Sequence, residues 1–233
     1  MGASEDSSRP IPWFDRSVRA YLASAYPTNH RYRVVGRRLW PTWKLRTRYR
    51  RIRVLYPRPL VSLVDLSSSL GYFVLQAALR ESCPRVLGID LHEPDLRVSE
   101  VVRDQLGLAS VRLERLRLHE LSARIEAFGG PFQTALVLNV YHYLYFGSTR
   151  SPEHYESHAE IFESLRSVCS GTLVFSNCVE LGQLPENVRR RAREQGRDAG
   201  YDERSVRTAA ERWFTIEEHG KLGRRPLWRL TAR

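Results

Sequence analysis

Residues 60–96, LVSLVDLSSSLGYFVLQAALRESCPRVLGIDLHEPDL, decide the fold. Leu60 to Val64 is an apolar run that leads into Asp65, and Leu66 to Gly71 is a turn rich in small residues. Tyr72 to Arg80 places Phe73, Val74, Ala77 and Ala78 on one helical face. Arg85 to Ile89 is a second apolar run, ending at Asp90. Strand, tight turn, helix and strand in so short a stretch predict a parallel crossover and an open α/β sheet. Such sheets take ligands beyond the carboxyl ends of their strands, where the first turn and the second strand's end converge. At that point Ser67, Ser68, Ser69 and Gly71 let a ligand approach the backbone. The helix start adds unpaired N–H groups and the positive end of its dipole. Asp90, about twenty residues past the turn, suits a ribose diol.

V-D-L-S-S-S-L-G-Y-F followed by V-L-G-I-D-L resembles the first two motifs of class I S-adenosylmethionine (SAM)-dependent methyltransferases. The usual first motif there is D-x-G-x-G-x-G. Asp65 and Gly71 are kept, and Ser67 and Ser69 stand at the first two glycines. The serines keep the turn intact if neither position needs a positive φ. The resemblance implies a Rossmann-like, seven-stranded, mostly parallel sheet with helices on both faces, and SAM as cofactor. It implies Asp65, Ser67, Ser69 and Gly71, with the adjoining Tyr72, at the methionine end of SAM, and Asp90 with Leu91 at the ribose. A dinucleotide Rossmann site is the other reading of such a turn. It fits less well, because G-x-G-x-x-G is absent and Asp65 precedes the turn.

Residues 132–147, FQTALVLNVYHYLYFG, form the second informative stretch. Ala135 to Leu138 reads as a fully apolar strand. The segment after it resembles the family's fourth motif, which implies Asn139, Tyr141 and His142 beside the transferred methyl. Gln133 stands where the family usually has an acid. N-x-Y-H lacks the prolines of the N/D-P-P-Y motif of amino methylases, which favours an oxygen acceptor over an exocyclic amine. His142 is the general-base candidate by type, since its ordinary pKa lies near neutrality. The plain alternative is a packed, hydrogen-bonded histidine in an aromatic run. Tyr141 is the second catalytic candidate, with wall or core as its plain alternative. In the loop Leu116-Arg117-Leu118-His119 no acid aligns with an adenine contact.

The charge is unevenly placed. Of the net +11, residues 1–15 contribute −2 and residues 65–233 contribute zero, whereas residues 16–64 hold 13 Lys and Arg and no acid. One basic element therefore precedes a neutral fold. Nearly all its cations are arginine, suited to bidentate phosphate or carboxylate contacts. Residues 42–56, TWKLRTRYRRIRVLY, read as a basic amphipathic helix with Leu45, Tyr49, Ile52 and Tyr56 on one stripe. It is either a solvated helix packed on the sheet or a binding element for an anionic substrate, a nucleic acid backbone or an acidic membrane surface. Tyr32, Trp40, Trp43 and Tyr49 suit stacking on bases, or a cap over the cofactor.

The expected organisation is a disordered tail at 1–10, a basic helical N-terminal cap at 11–59, with a helix over 12–26, and a SAM-binding domain at 60–233. Further helices are expected over Leu96 to Leu106, His119 to Phe128 and 152–168, with a charged helix pair between Pro185 and Arg212. Strands are expected over Val111 to Arg115, Leu173 to Ser176, Trp213 to Glu217 and Leu227 to Leu230. His154 and His158 at i, i+4 have metal-ligand spacing, but no third ligand is near, so no metal is expected. Cys83, Cys169 and Cys178 match no zinc or redox spacing and read as buried, reduced thiols. No apolar run is long enough to span a membrane, and the N-terminus is not a secretory signal, so a cytoplasmic location is expected. The R-P-L-W-R-L ending is similar to the ends of methyltransferases acting on terminal phosphates of bacterial glycans.

Taken together, the chain reads as a SAM-dependent methyltransferase acting on an oxygen of an anionic or hydroxyl-bearing small molecule or glycan, with residues 31–58 supplying arginines to the acceptor. The rivals are an RNA methyltransferase using the same segment, and a SAM-blind nucleic-acid-binding protein on a degenerate methyltransferase fold.

Overall fold

The computed structural model describes residues 16–25 and 30–233. The 1–10 tail and the first residues of the 12–26 helix lie outside these. The crossover read from residues 60–96 is present: β3 (Leu63–Asp65), α3 (Tyr72–Glu81) and β4 (Val86–Ile89). β3 pairs in parallel with β4 on one side and with β6 (Phe132–Leu138) on the other, so Val64 lies between Leu87 and Ala135. β5 (Val111–Glu114) extends the sheet beyond β4, and β7 (Cys169–Ser176) extends it beyond β6, both in parallel. β8 (Phe214–Leu222) and β9 (Arg225–Ala232) close it as a hairpin. β9 inserts between β7 and β8 and runs against both. The order β5-β4-β3-β6-β7-β9-β8 is a seven-stranded sheet with six strands running one way and one reversed.

Helices cover both faces, which is why β3, β4 and most of β6 and β7 are apolar without alternation. Successive residues still divide between the two sides. Leu63 and Leu136 join a core built on α2 (Trp43–Arg53), α3 and α4 (Glu93–Leu106), whereas Val64, Ala135 and Val137 join one built on α6 (Tyr141–Phe146), α7 (His158–Val168) and α9 (Glu203–Glu211). On the latter side Trp228 of β9 stacks on Phe175 of β7, centroids 5.1 Å apart and planes 13° apart. Burying a large aromatic contributes ~2–3 kcal/mol each.

The N-terminal part is not helical throughout. After α1 (Arg16–Ser24), β1 (Tyr32–Val35) and β2 (Arg38–Pro41) form an antiparallel hairpin that the sequence reading missed. α2 follows as expected, capped by Thr42 and burying Leu45, Tyr49 and Ile52. Two further expectations need correction. The helix placed over 152–168 begins only at His158, because Ser157 accepts from the Glu160 N–H at 3.2 Å and caps it there. His154 therefore does not share a helical face with His158. The helix placed over His119 to Phe128 is α5 (Leu118–Ala123) followed by a separate 3-10 turn, Ile125–Phe128. α8 (Glu186–Glu194) completes the set. Among the described residues no helix is long and apolar enough to cross a membrane, and no cluster of metal-ligating side chains occurs.

Candidate active site

The carboxyl ends of β3, β4 and β6 open into a cavity of about 1220 Å³. Its floor is the turn after β3. Ser67 N donates to Asp65 Oδ1 at 3.2 Å, and Ser67 Oγ donates to the Leu138 carbonyl at 3.1 Å, which ties the turn to β6. Ser69 N donates to Asp90 Oδ2 at 2.8 Å, and its Oγ donates to Asp95 Oδ2 at 3.0 Å. Ser69 has φ +46, and Gly71 has φ +72 and starts α3. The condition set for the serine-substituted turn, that neither position needs a positive φ, holds at Ser67 and not at Ser69. Ser69 takes the left-handed conformation that glycine usually supplies, and its two bonds to carboxylates offset the strain. Gly88 lets β4 pass this close, since a Cβ there would stand 3.0 Å from Ser68.

Asp90 uses one oxygen on Ser69 and the other on the His92 N–H, 2.9 Å away. Each oxygen keeps further acceptor capacity, and Asp90 and Leu91 both line the cavity. Asp65 is 1% exposed, and burial pushes its pKa up to about 7 despite the Ser67 N–H and the nearby Arg48. Tyr72 does not line this cavity. It points out of the first turn of α3 into a cluster with Tyr32, Tyr49 and Phe73, with ring centroids 5.5, 5.6 and 5.9 Å away.

At the end of β6, Asn139 has φ +63 and lines the cavity. This bend turns the chain into α6 and brings His142 to the wall. His142 is 2% exposed, its Nδ1 has no hydrogen-bond partner among the described residues, and burial, then Arg225, lowers its pKa to about 3. It is therefore a neutral imidazole at neutral pH, with Nδ1 itself buried. Tyr141 faces the other way. Its ring is fully buried, its hydroxyl meets His158 Nδ1 at 2.8 Å, and it does not line the cavity. The catalytic assignment of Tyr141 is corrected on that geometry, because adjacent helical positions differ by about 100° in direction.

The sequence reading singled out neither His30, Arg48, Asp95 nor Arg225 as a site residue, and all four line the cavity. Arg48 reaches in from α2 and donates to His30 Nε2 at 3.2 Å. His30 Nδ1 stands 3.2 Å from Ser69 Oγ, which already donates to Asp95, so the proton lies on Nδ1. Burial, then the Arg48 charge, lowers the His30 pKa to about 4. Asp95 also accepts from the Tyr21 hydroxyl at 2.7 Å and pairs with His92 at 2.9 Å. Tyr32 OH donates to the Leu70 carbonyl at 2.7 Å. The N-terminal segment is thereby bolted to the turn itself. Arg225, at the start of β9, faces the same space from the far end of the chain.

The residues fit SAM. The turn supplies two left-handed residues for close backbone approach, Asp90 keeps free acceptor capacity for a diol, and the cavity exceeds the roughly 300–1,000 Å³ usual for one ligand. The fold is that of SAM-dependent methyltransferases. Solved structures sharing it include the bifunctional kinase-methyltransferase WbdD, at TM-score 0.58 and 16% identity over 79% of this chain and 39% of that chain. The chain thus spans about two fifths of the WbdD length. The N-terminal domain of EvdMO1, crystallised in the presence of SAH and D-fucose, matches at TM-score 0.56 and 16% identity over 94% of this chain and 97% of that one. The N-methyltransferase NodS from Bradyrhizobium japonicum WM9 matches at TM-score 0.54 and 14% identity over 81% and 96%. No protein-family model and no curated protein matches the chain.

Proposed function

We propose that this chain is a SAM-dependent methyltransferase acting on an oxygen of an anionic or hydroxyl-bearing small molecule or glycan. The observation that carries the reading is the cavity at the strand ends, lined by the β3 turn, Asp90, Asn139 and His142, the last a neutral imidazole. The EvdMO1 domain was crystallised with D-fucose, which supports a sugar-sized acceptor by analogy alone.

SAM supplies an electrophilic methyl group on a sulfonium. Asp90 would accept from the ribose hydroxyls, with Leu91 beside it, and the turn of Asp65, Ser67, Ser69 and Gly71 would hold the methionine end. Asn139, at the left-handed bend, would set the acceptor side of the methyl. The His142 imidazole, where it lines the cavity, would take the proton of an acceptor hydroxyl as the oxygen becomes nucleophilic. Arg48 and Arg225 would bind negative charge on the acceptor and fix its orientation. An acceptor oxygen that is already anionic needs no base, and His142 then only shapes the wall.

Calorimetric titration of SAM and SAH into the full chain tests the cofactor half. Binding in the micromolar range is expected, weakened at least about tenfold by Asp90→Ala, which removes hydrogen bonds to a diol. A folded sample that takes up neither ligand refutes the proposal. Label transfer from methyl-labelled SAM tests the base. For a hydroxyl acceptor His142→Ala lowers the rate by about 10²–10⁴ with SAM affinity retained, whereas an unchanged rate identifies an anionic oxygen.

A further inference from the structure

The segment that closes the cavity also carries an outer surface. In the β1–β2 hairpin Arg33 lies opposite Trp40 and Val35 opposite Arg38, so these four side chains share one face. All four are exposed, Val35 by 57% and Trp40 by 58%, while Tyr32 and Leu39 turn inward. Three residues on, Trp43 opens α2 with 76% exposure. At 100° per residue Trp43, Thr47, Arg50 and Val54 form one stripe about 16 Å long, opposite the buried Leu45, Tyr49 and Ile52. Val54 is 70% exposed. Arg33, Arg38, Lys44, Arg46 and Arg50 are exposed, and their side chains make no hydrogen bond or ion pair with another described residue.

A merely solvated face has no use for two tryptophans and two valines in the open, and exposed apolar groups set among cations mark an interaction surface. The partner must be anionic, because residues 16–64 contain no acid at all. Both parts of the pattern match the headgroup region of an anionic bilayer. Indole rings settle there, short apolar side chains enter the acyl boundary, and arginines meet phosphates. A nucleic acid would engage the arginines and tryptophans but leave Val35 and Val54 idle. We propose that the outer face of the hairpin and α2 docks on an anionic phospholipid membrane surface. The docking is independent of the methyl-transfer reading.

Sedimentation of the full chain with phosphatidylcholine vesicles, with and without about one quarter phosphatidylglycerol, tests this. Partition onto the anionic vesicles is expected to exceed that onto neutral ones by at least about tenfold, and to fall as salt rises. Arg38→Ser with Arg50→Ser should lower it about 25-fold, at about fivefold per cation. Trp40→Ser with Trp43→Ser should lower it at unchanged charge, and both variants should keep the wild-type melting temperature because these side chains are exposed. Equal partition onto neutral and anionic vesicles overturns the proposal. So does tight binding of a single-stranded RNA with no vesicle binding.

Discussion

Replacing Asp65 by Asn should make the protein more stable, and more so in base than in acid. Asp65 is buried at the end of β3, and its carboxyl is held up at about 7 against an ordinary 3.8. Between those values the unfolded chain has lost this proton and the folded chain keeps it. Stability is therefore fully present below 3.8 and declines as pH rises through about 7. At about 1.4 kcal/mol per pH unit the complete loss is ~4 kcal/mol, of which ~3 kcal/mol falls between pH 5 and pH 8. An Asn side chain keeps an oxygen for the Ser67 N–H and has no proton to lose. His142 and His30 act in the opposite sense. Their pKa values, about 3 and about 4 against 6.5, make stability fall as pH drops below 6.5, and they do so in both proteins. The difference between Asp65→Asn and wild type isolates the carboxyl. Urea unfolding without SAM should show the variant's advantage to be ~3 kcal/mol larger at pH 8 than at pH 5, equivalent to about 6–12 °C in melting temperature. An advantage of equal size at the two pH values would refute the reasoning. It would mean that Arg48 and the turn amide keep Asp65 ionised throughout.

Two further outcomes can be checked by thermal unfolding with SAM titration. Gly71→Ala forces a side chain into φ +72, with its Cβ 3.0 Å from Ser99, so a loss of ~1–3 kcal/mol and weakened SAM binding are expected. Tyr141→Phe removes the partner of His158 Nδ1 inside the core, which should lower stability by ~1–3 kcal/mol and leave SAM affinity as it was. A Tyr141→Phe protein of wild-type stability that has lost methyl transfer would return the residue to the catalytic set.

What the sequence disclosed depends on distance along the chain. The β3-α3-β4 unit and the β6 end were legible because each is a short apolar run with its turn or bend attached, and the ligand position follows from where such strands end. The Ser157 cap was also readable, as Ser-x-x-Glu ahead of an apolar stripe, but Pro152 drew the helix start six residues too early. The β1–β2 hairpin stayed hidden because its outward positions are arginines, valine and tryptophan, which break the usual inside-outside alternation. His30, Arg48, Asp95 and Arg225 were beyond reach for a different reason. Nothing local marks one arginine among thirteen cations as the one that turns inward. Its neighbour His30 is 18 residues away. Tyr141 and Tyr72 lie outside the main cavity, since helical neighbours differ in direction, although Tyr72 borders a smaller pocket under the same turn.

The reversed strand β9 has a consequence for assembly. Because it runs against its neighbours, its first residue, Arg225, emerges at the edge where the parallel strands end, although it belongs to the final stretch of the chain. His30 and Arg48 arrive at the same place from the beginning. A nascent polypeptide can complete the turn after β3 long before it can complete the cavity. The turn after β3 is a local product of about thirty residues, whereas the cavity wall that His30, Arg48 and Arg225 supply closes only when α2 and β9 are folded onto the sheet. Completeness of the fold and readiness of the cavity are, in this protein, the same event.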